Sequence, residues 1–194
     1  MTQRRVLQVS LGRVRPLQVG ERKMMSAIGK QPVTGAVAVK PLGLEGDEQA
    51  DLSVHGGLVK AIYAYPSEHY AFWQQQRQQR GVTLFDETLG AGFAGENLTL
   101  AGLLEHEVWV GDELHFPDCV LRVTAPREPC GKFNAVMGYP QAACDMVQSC
   151  RCGFYLAVSK PGCLAAGQTF ELVPGRRALS IRQALAAKGA KHLR

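Results

Sequence analysis

The segment Thr124-Ala125-Pro126-Arg127-Glu128-Pro129-Cys130-Gly131-Lys132 sets a thiol between two cations, on a backbone stiffened by two prolines. Neighbouring positive charge favours the thiolate, the form of cysteine that attacks electrophiles and binds soft metals. Cys130 is therefore the candidate reactive residue; the plainer alternative is an inert thiol in a rigid loop. Three glycine-containing stretches add candidates. His55-Gly56-Gly57, followed by Lys60, lets backbone amides approach a ligand beside an imidazole, an arrangement that suits phosphate. Gly92-Phe93-Ala94-Gly95-Glu96-Asn97-Leu98 offers in Asn97 both a donor and an acceptor, or else is only a turn entering a strand. Gly43-Leu44-Glu45-Gly46-Asp47-Glu48-Gln49-Ala50-Asp51 carries acids at alternate positions, which suggests a cation site. An EF-hand loop needs a terminal bidentate glutamate at fixed spacing. The next glutamate is Glu68, so that pattern fails and a pocket-shaping or solvated turn remains.

The other cysteines, Cys119, Cys144, Cys150, Cys152 and Cys163, do not make a metal knuckle. Cys150-Arg151-Cys152 has the wrong spacing for zinc, which pairs two C-x-x-C units or their histidine equivalents. The start of the chain lacks the long apolar run of a signal peptide, so the cysteines read as reduced thiols of a cytoplasmic protein rather than as disulfides.

The elements that must carry these residues read as β-rich. Glycine and proline punctuate short β-branched or alternating segments, and strands are expected at 6–14, 33–39, 61–65, 107–116, 120–124, 154–159 and 169–173. Such lengths suit a barrel or sandwich. Helices are expected at 66–80, opened by Pro66, at 140–147 and at 180–188. The chain of 194 residues, 46% of them hydrophobic and 20% charged, fits one folded unit with a substantial core and excludes global disorder.

Its net charge of +5 is concentrated at the ends. The first thirty residues hold Arg4, Arg5, Arg13, Arg15, Arg22, Lys23 and Lys30 against Glu21 alone, and from Arg176 onward the chain is basic without an acid. No helix-turn-helix, zinc-finger or RNA-recognition pattern accompanies that charge, which argues against nucleic acid as a partner. No apolar stretch reaches the roughly 20 residues that cross a bilayer, which argues against a membrane.

Taken in order, Ala27-Ile28-x-Lys30, Gly43-Leu44-Glu45-Gly46-Asp47-x-Gln49-Ala50-Asp51, His55-Gly56-Gly57, Tyr65-Pro66-x-Glu68-His69-Tyr70, Gly95-Glu96-Asn97-Leu98, Val110-Gly111-Asp112 and Pro126-Arg127-x-Pro129-Cys130-x-Lys132 resemble the MOSC-domain family in its YiiM-like branch. The likeness runs from about Ala27 to Val173. It implies a MOSC-type β-barrel with peripheral helices over residues 1–175, followed at 176–194 by a short basic helical tail where relatives continue into a three-helix domain. It further implies that the chain binds the molybdenum cofactor, a pterin dithiolene. Cys130 would be the catalytic thiolate ligand of molybdenum, and Lys30, His55, Asn97 and Arg127 would line the cofactor site. The activity implied is reduction of N-hydroxylated purines and amidoximes, a detoxifying reaction on a small-molecule substrate. No ferredoxin-type cysteine run or G-x-G-x-x-G accompanies these motifs, so an external electron-donor protein is expected. The alternatives are a carrier of cofactor or sulfur without its own turnover, and a barrel that has lost the site.

Overall fold

The computed structural model describes residues 3–51, 56–84 and 87–192. In chain order the elements are β1 (Arg5–Gly12), β2 (Arg15–Val19), β3 (Arg22–Ser26), β4 (Lys30–Val33), β5 (Val37–Lys40), β6 (Gly43–Leu44), β7 (Ile62–Pro66), α1 (Tyr70–Gln79), β8 (Leu98–Ala101), β9 (Glu113–His115), β10 (Val120–Pro126), α2 (Gly131–Met137), α3 (Ala142–Ser149), β11 (Phe154–Lys160), β12 (Gly162–Leu164), β13 (Glu171–Val173) and α4 (Ile181–His192).

The main sheet has the order β13-β9-β10-β11-β7-β8-β1-β4. All its pairings are antiparallel except β7 with β8, which are joined by the long connection that carries α1. Along the central strands alternate residues turn inward: Val6 and Val9, Ile62 and Ala64, Leu98 and Leu100, Leu121 and Val123, Phe154 and Leu156 are essentially inaccessible to solvent. Each large aliphatic or aromatic side chain so buried contributes about 1.5–3 kcal/mol of transfer free energy. The intervening positions Tyr63, Tyr65 and Tyr155 point to the other face, where Trp73 of α1 and Phe133 of α2 cover them. α4 lays Ile181, Ala184 and Leu185 against β10 and α3 and exposes Arg182 and Gln183. Among the described residues the fold is therefore mainly β, as the sequence indicates, with four α-helices where three were expected, α2 being the addition.

The expected closed barrel is not formed. β13 and β4 are the two edges of the sheet, and no strand pair joins them. The sheet curls until the segment before β13 meets β1 through Val6 N–H to Gln168 O, Gly167 N–H to Val6 O and Phe170 N–H to Arg4 O. Gly167, at φ 85°, turns the chain there, so the contact stays a short irregular seam.

Two expected strands are interrupted for local reasons. The 33–39 segment splits at Gly35, whose φ of 81° no strand accommodates, into β4 of the main sheet and β5, which pairs with β12 and β6. The 107–116 segment keeps strand geometry only at β9. Before it, Gly111 has φ 94° and the buried Asp112 carboxylate gathers the N–H groups of Trp109 and Gly175 into a turn.

Candidate functional site

The main sheet brings the ends of five strands together, and the residues singled out by type gather there. Lys30 opens β4, Asn97 immediately precedes β8, Tyr63 lies in β7 and Tyr155 near the start of β11. Arg127 directly follows β10, and Cys130 caps the start of α2. These side chains, with Asp47, Lys60 and Lys132, line a cleft open to solvent. His55 lies outside the described residues.

Three of the four described candidates differ sharply in how they are held. Lys30 is buried against Asp47, with its Nζ 2.5 Å from Oδ1 and side-chain exposures of 8% and 4%. The same Oδ1 accepts the Gly12 N–H at 2.6 Å, which fixes the carboxylate to the end of β1. Burial lowers the Lys30 ammonium pKa and the Asp47 charge opposes that shift. Asp47 comes from the acidic stretch 43–51, so its role is to hold a cation of the protein's own at the cleft wall.

Asn97 is engaged on both ends of its amide. Oδ1 accepts the Tyr63 N–H at 3.1 Å and Nδ2 donates to Ser10 O at 3.2 Å, while its own N–H and C=O bond Tyr63 O and Ser10 N. It thus stitches β7 to β1 just before β8 begins. Its neighbour Glu96 is fully buried and gathers the N–H groups of Gly92 and Ala94 and the hydroxyls of Tyr70 and Thr99. Burial raises its pKa above the ordinary carboxylate value even with these donors. Gly95, directly before Glu96, has φ 87°, and a Cβ there would come 2.7 Å from Ile28 Cγ1. The Gly95-Glu96-Asn97 motif therefore shapes the cleft wall.

Arg127 is 5% exposed and makes no ion pair with a carboxylate among the described residues. Its guanidinium lies 5.2 Å from the Tyr63 ring centre and 4.9 Å from that of Phe133, sits beside the Tyr155 hydroxyl and donates toward Met146 Sδ. Burial works against its charge, and the opposing fields that push its pKa up come first from Tyr63 and Tyr155, phenols that carry no charge at neutral pH. Tyr155, for its part, is raised by burial against the opposing field of Arg127. Cys130 is half-buried at the same wall. Lys132 also lines the cleft and donates to Met25 O at 3.0 Å, tying α2 to the β2–β3 hairpin.

Tyr63 and Tyr155 are the cleft-lining positions that the motifs missed. The alternation in Ile62-Tyr63-Ala64-Tyr65 places both of its tyrosines on one face of a strand, and that was the available signal. The remaining cysteines stand apart from the cleft: Cys119 and Cys152 are buried, and burial pushes the Cys119 thiol up to about 11. Among the described residues no group of three or more His, Cys, Asp or Glu side chains is placed to hold a metal ion.

The sequence profile of the MOSC domain matches residues 51–171. The chain is 35% identical over 178 residues to the uncharacterized protein YflK of Bacillus subtilis, covering 91% of this chain and 77% of that one. It is 35% identical over 161 residues to protein YiiM of Escherichia coli, covering 83% and 70%. A protein of Gibberella moniliformis called a reductase is 32% identical over 188 residues, covering 94% of this chain and 32% of that much longer one. The crystal structure of YiiM from Geobacillus stearothermophilus superposes with a TM-score of 0.75 and 30% identity over 97% of this chain and 85% of its own. Motifs, fold and cleft thus agree with these matches: the chain belongs to the MOSC domain family, among its YiiM-like members.

Proposed function

We propose that the cleft binds the molybdenum cofactor and reduces N-hydroxylated compounds, purines and amidoximes among them, with electrons from another protein. The observation that carries this reading is Arg127. A guanidinium buried without a carboxylate costs several kcal/mol of desolvation that only partial compensation by ring faces and a hydroxyl offsets. A cation kept at that cost beside a half-exposed thiol suits an anionic ligand that also presents a soft metal. The residues present therefore fit a phosphate-bearing pterin dithiolene. MOSC membership and likeness to a protein called a reductase support the same reading.

In this reading Cys130 Sγ would hold the metal, and Arg127 and Lys30 would serve the anionic and oxygen-bearing groups of the cofactor. Asp47 fixes Lys30, while Asn97 and Gly95 shape the cleft wall. Lys132 and Lys60 line the more open side of the cleft. His55, one residue before Gly56 of the cleft wall, is proposed as a further contact. The bound group supplies the two-electron chemistry that removes oxygen from nitrogen. The net reaction takes R–NHOH, two protons and two electrons to R–NH2 and water, so the protein's part is to bind, orient and keep the site charged for an anion.

The test is the molybdenum and pterin content of wild type and Cys130→Ser, each purified from a host that makes the cofactor, followed by turnover of an N-hydroxylated purine with a reduced viologen. Near-stoichiometric metal in wild type that is lost from the variant, with turnover, supports the proposal. Absence from both overturns it. Bound cofactor without turnover of any N-hydroxylated substrate assigns the chain to the carrier class instead.

A further inference from the structure

A shallow groove adjoins the cleft and is separate from it. Its floor is apolar, formed by Val59, Val110, Val123 and Ala125, and its sides include Arg122 and Lys60. Lys60 lines both concavities, and Ala125 of the groove stands directly opposite Tyr155 of the cleft in the β10–β11 ladder. Directly paired residues in such a ladder have Cα atoms about 5 Å apart. Anything seated in the groove is therefore one strand spacing from the cleft wall.

The surround of the groove is apolar at its centre and basic at its edge. Leu58 and Val59 are 61% and 60% exposed. The segment before α4 runs along the 109–112 turn, through Val110 N–H to Leu179 O and the Trp109–Ser180 bridge, and sets Arg177, with Arg176 next to it in the chain, over Asp112 and Trp109 of that turn. Arg122 and Arg176 are exposed. The acids that face this region are already committed. Asp112 is buried under Arg177, which also stacks on Trp109 at 4.4 Å, and Glu113, across the ladder from Arg122, holds His115 and Ser159. Beyond Glu171 the chain supplies only bases.

We propose that this groove is the docking surface for an acidic electron-donor protein, which passes electrons singly across β10 into the cleft. The inference rests on the proposed function, since a site that reduces N–OH to N–H must be fed two electrons per turnover. Two one-electron transfers from the partner, with two protons from solvent, balance the loss of one oxygen as water. Small apolar centres with a charged rim are the character of transient encounters, in which charge sets the rate and orientation while a limited contact area permits release.

The experiment uses the cofactor-loaded protein and flavodoxin, an acidic flavoprotein, as probe. The double variant Arg122→Glu/Arg176→Glu is compared with wild type and with Arg22→Glu/Lys23→Glu, which reverses charge on the distant β2–β3 hairpin. Flavodoxin affinity is measured by titration at low and raised salt, and turnover is driven either by reduced viologen or by reduced flavodoxin. Expected are salt-sensitive binding in wild type, about tenfold or greater weakening in the groove variant only, and a matching fall in flavodoxin-driven turnover with viologen-driven turnover unchanged. The proposal is overturned if wild type does not bind flavodoxin, if binding ignores salt, or if both variants lose it equally. Should viologen-driven turnover itself be absent, the proposed function fails, and the titration still decides the docking surface.

Discussion

Replacing Asp47 by Asn isolates the charge that holds Lys30 at the cleft. The amide oxygen can still accept the Gly12 N–H, so the end of β1 keeps its partner, while the buried ammonium loses the only carboxylate within ion-pair distance among the described residues. Breaking a buried pair on one side costs about 3–5 kcal/mol. Since about 1.4 kcal/mol is a factor of ten, the folded-to-unfolded ratio should fall by roughly two to three orders of magnitude at neutral pH. The pH dependence gives a second handle. The folded Lys30 pKa already lies below its unfolded value of 10.5, so between the two the unfolded chain holds more protons and stability rises with pH. Without Asp47 the folded value drops further and this window extends downward. The deficit of Asp47→Asn measured by urea unfolding should therefore shrink between about pH 7 and pH 10. In Asp47→Asn/Lys30→Met the charge itself is gone, and stability should return to near that of wild type. A double variant as unstable as the single one, or a deficit independent of pH, would refute the account of Lys30 as a buried cation sustained by Asp47.

Arg127→Met should raise the melting temperature of cofactor-free protein, because it removes a buried cation with no carboxylate partner among the described residues, yet abolish retention of molybdenum and pterin; a lowered melting temperature would show that the ring and hydroxyl contacts already balance the charge. Gly95→Ala forces a Cβ against Ile28 at positive φ and should cost about 1–3 kcal/mol in chemical denaturation, with cofactor content falling in parallel. Glu105→Leu strands the Gly153 N–H and the buried His69 ring and should cost about 2–4 kcal/mol, while the cleft residues stay in place; full cofactor retention in the folded fraction checks that separation. Glu96, whose pKa burial raises above 4.5, binds its proton more tightly in the folded state, so its contribution to stability falls as pH rises through that range; the slope should vanish in Glu96→Gln when unfolding is followed across about pH 4 to 7.

What the sequence disclosed of the site depended on how local the cause was. Arg127, Cys130 and Lys132 lie within one short stretch whose prolines announce a fixed turn, and the fold keeps them together. Lys30 and Asp47 were each visible, but their pairing was not, since it depends on β1 bringing Gly12 to both. Asn97 reads as a ligand by its chemistry and turns out to bond Tyr63 and Ser10, because the partners that occupy its amide are distant in sequence. Of the central strands β1, β7, β10 and β11 were legible from alternation and β8 only as an unnamed strand entered from the 92–98 turn, whereas β2 and β3 were not. Of their residues only Ser26 is buried, and Met24 and Met25 are exposed, so no apolar period marks them. α2 is equally silent, being two turns long and started by the chain geometry that Cys130 and Pro129 impose.

β11 lies between β7 and β10 although it is made after both. Until it is in place, the β7-β8-β1-β4 half that carries Tyr63, Asn97 and Lys30 has no ladder to the β9-β10 half that ends in Arg127 and Cys130. During synthesis the two walls of the cleft therefore exist as separate hairpins and ribbons with open edges, and about four-fifths of the chain must leave the ribosome before they can be zipped together. A cleft complete on both walls can only follow that event, so in a cell the supply of such protein is governed by a late, non-local strand insertion, the kind of step that closes slowly and leaves unpaired strand edges exposed while it is pending.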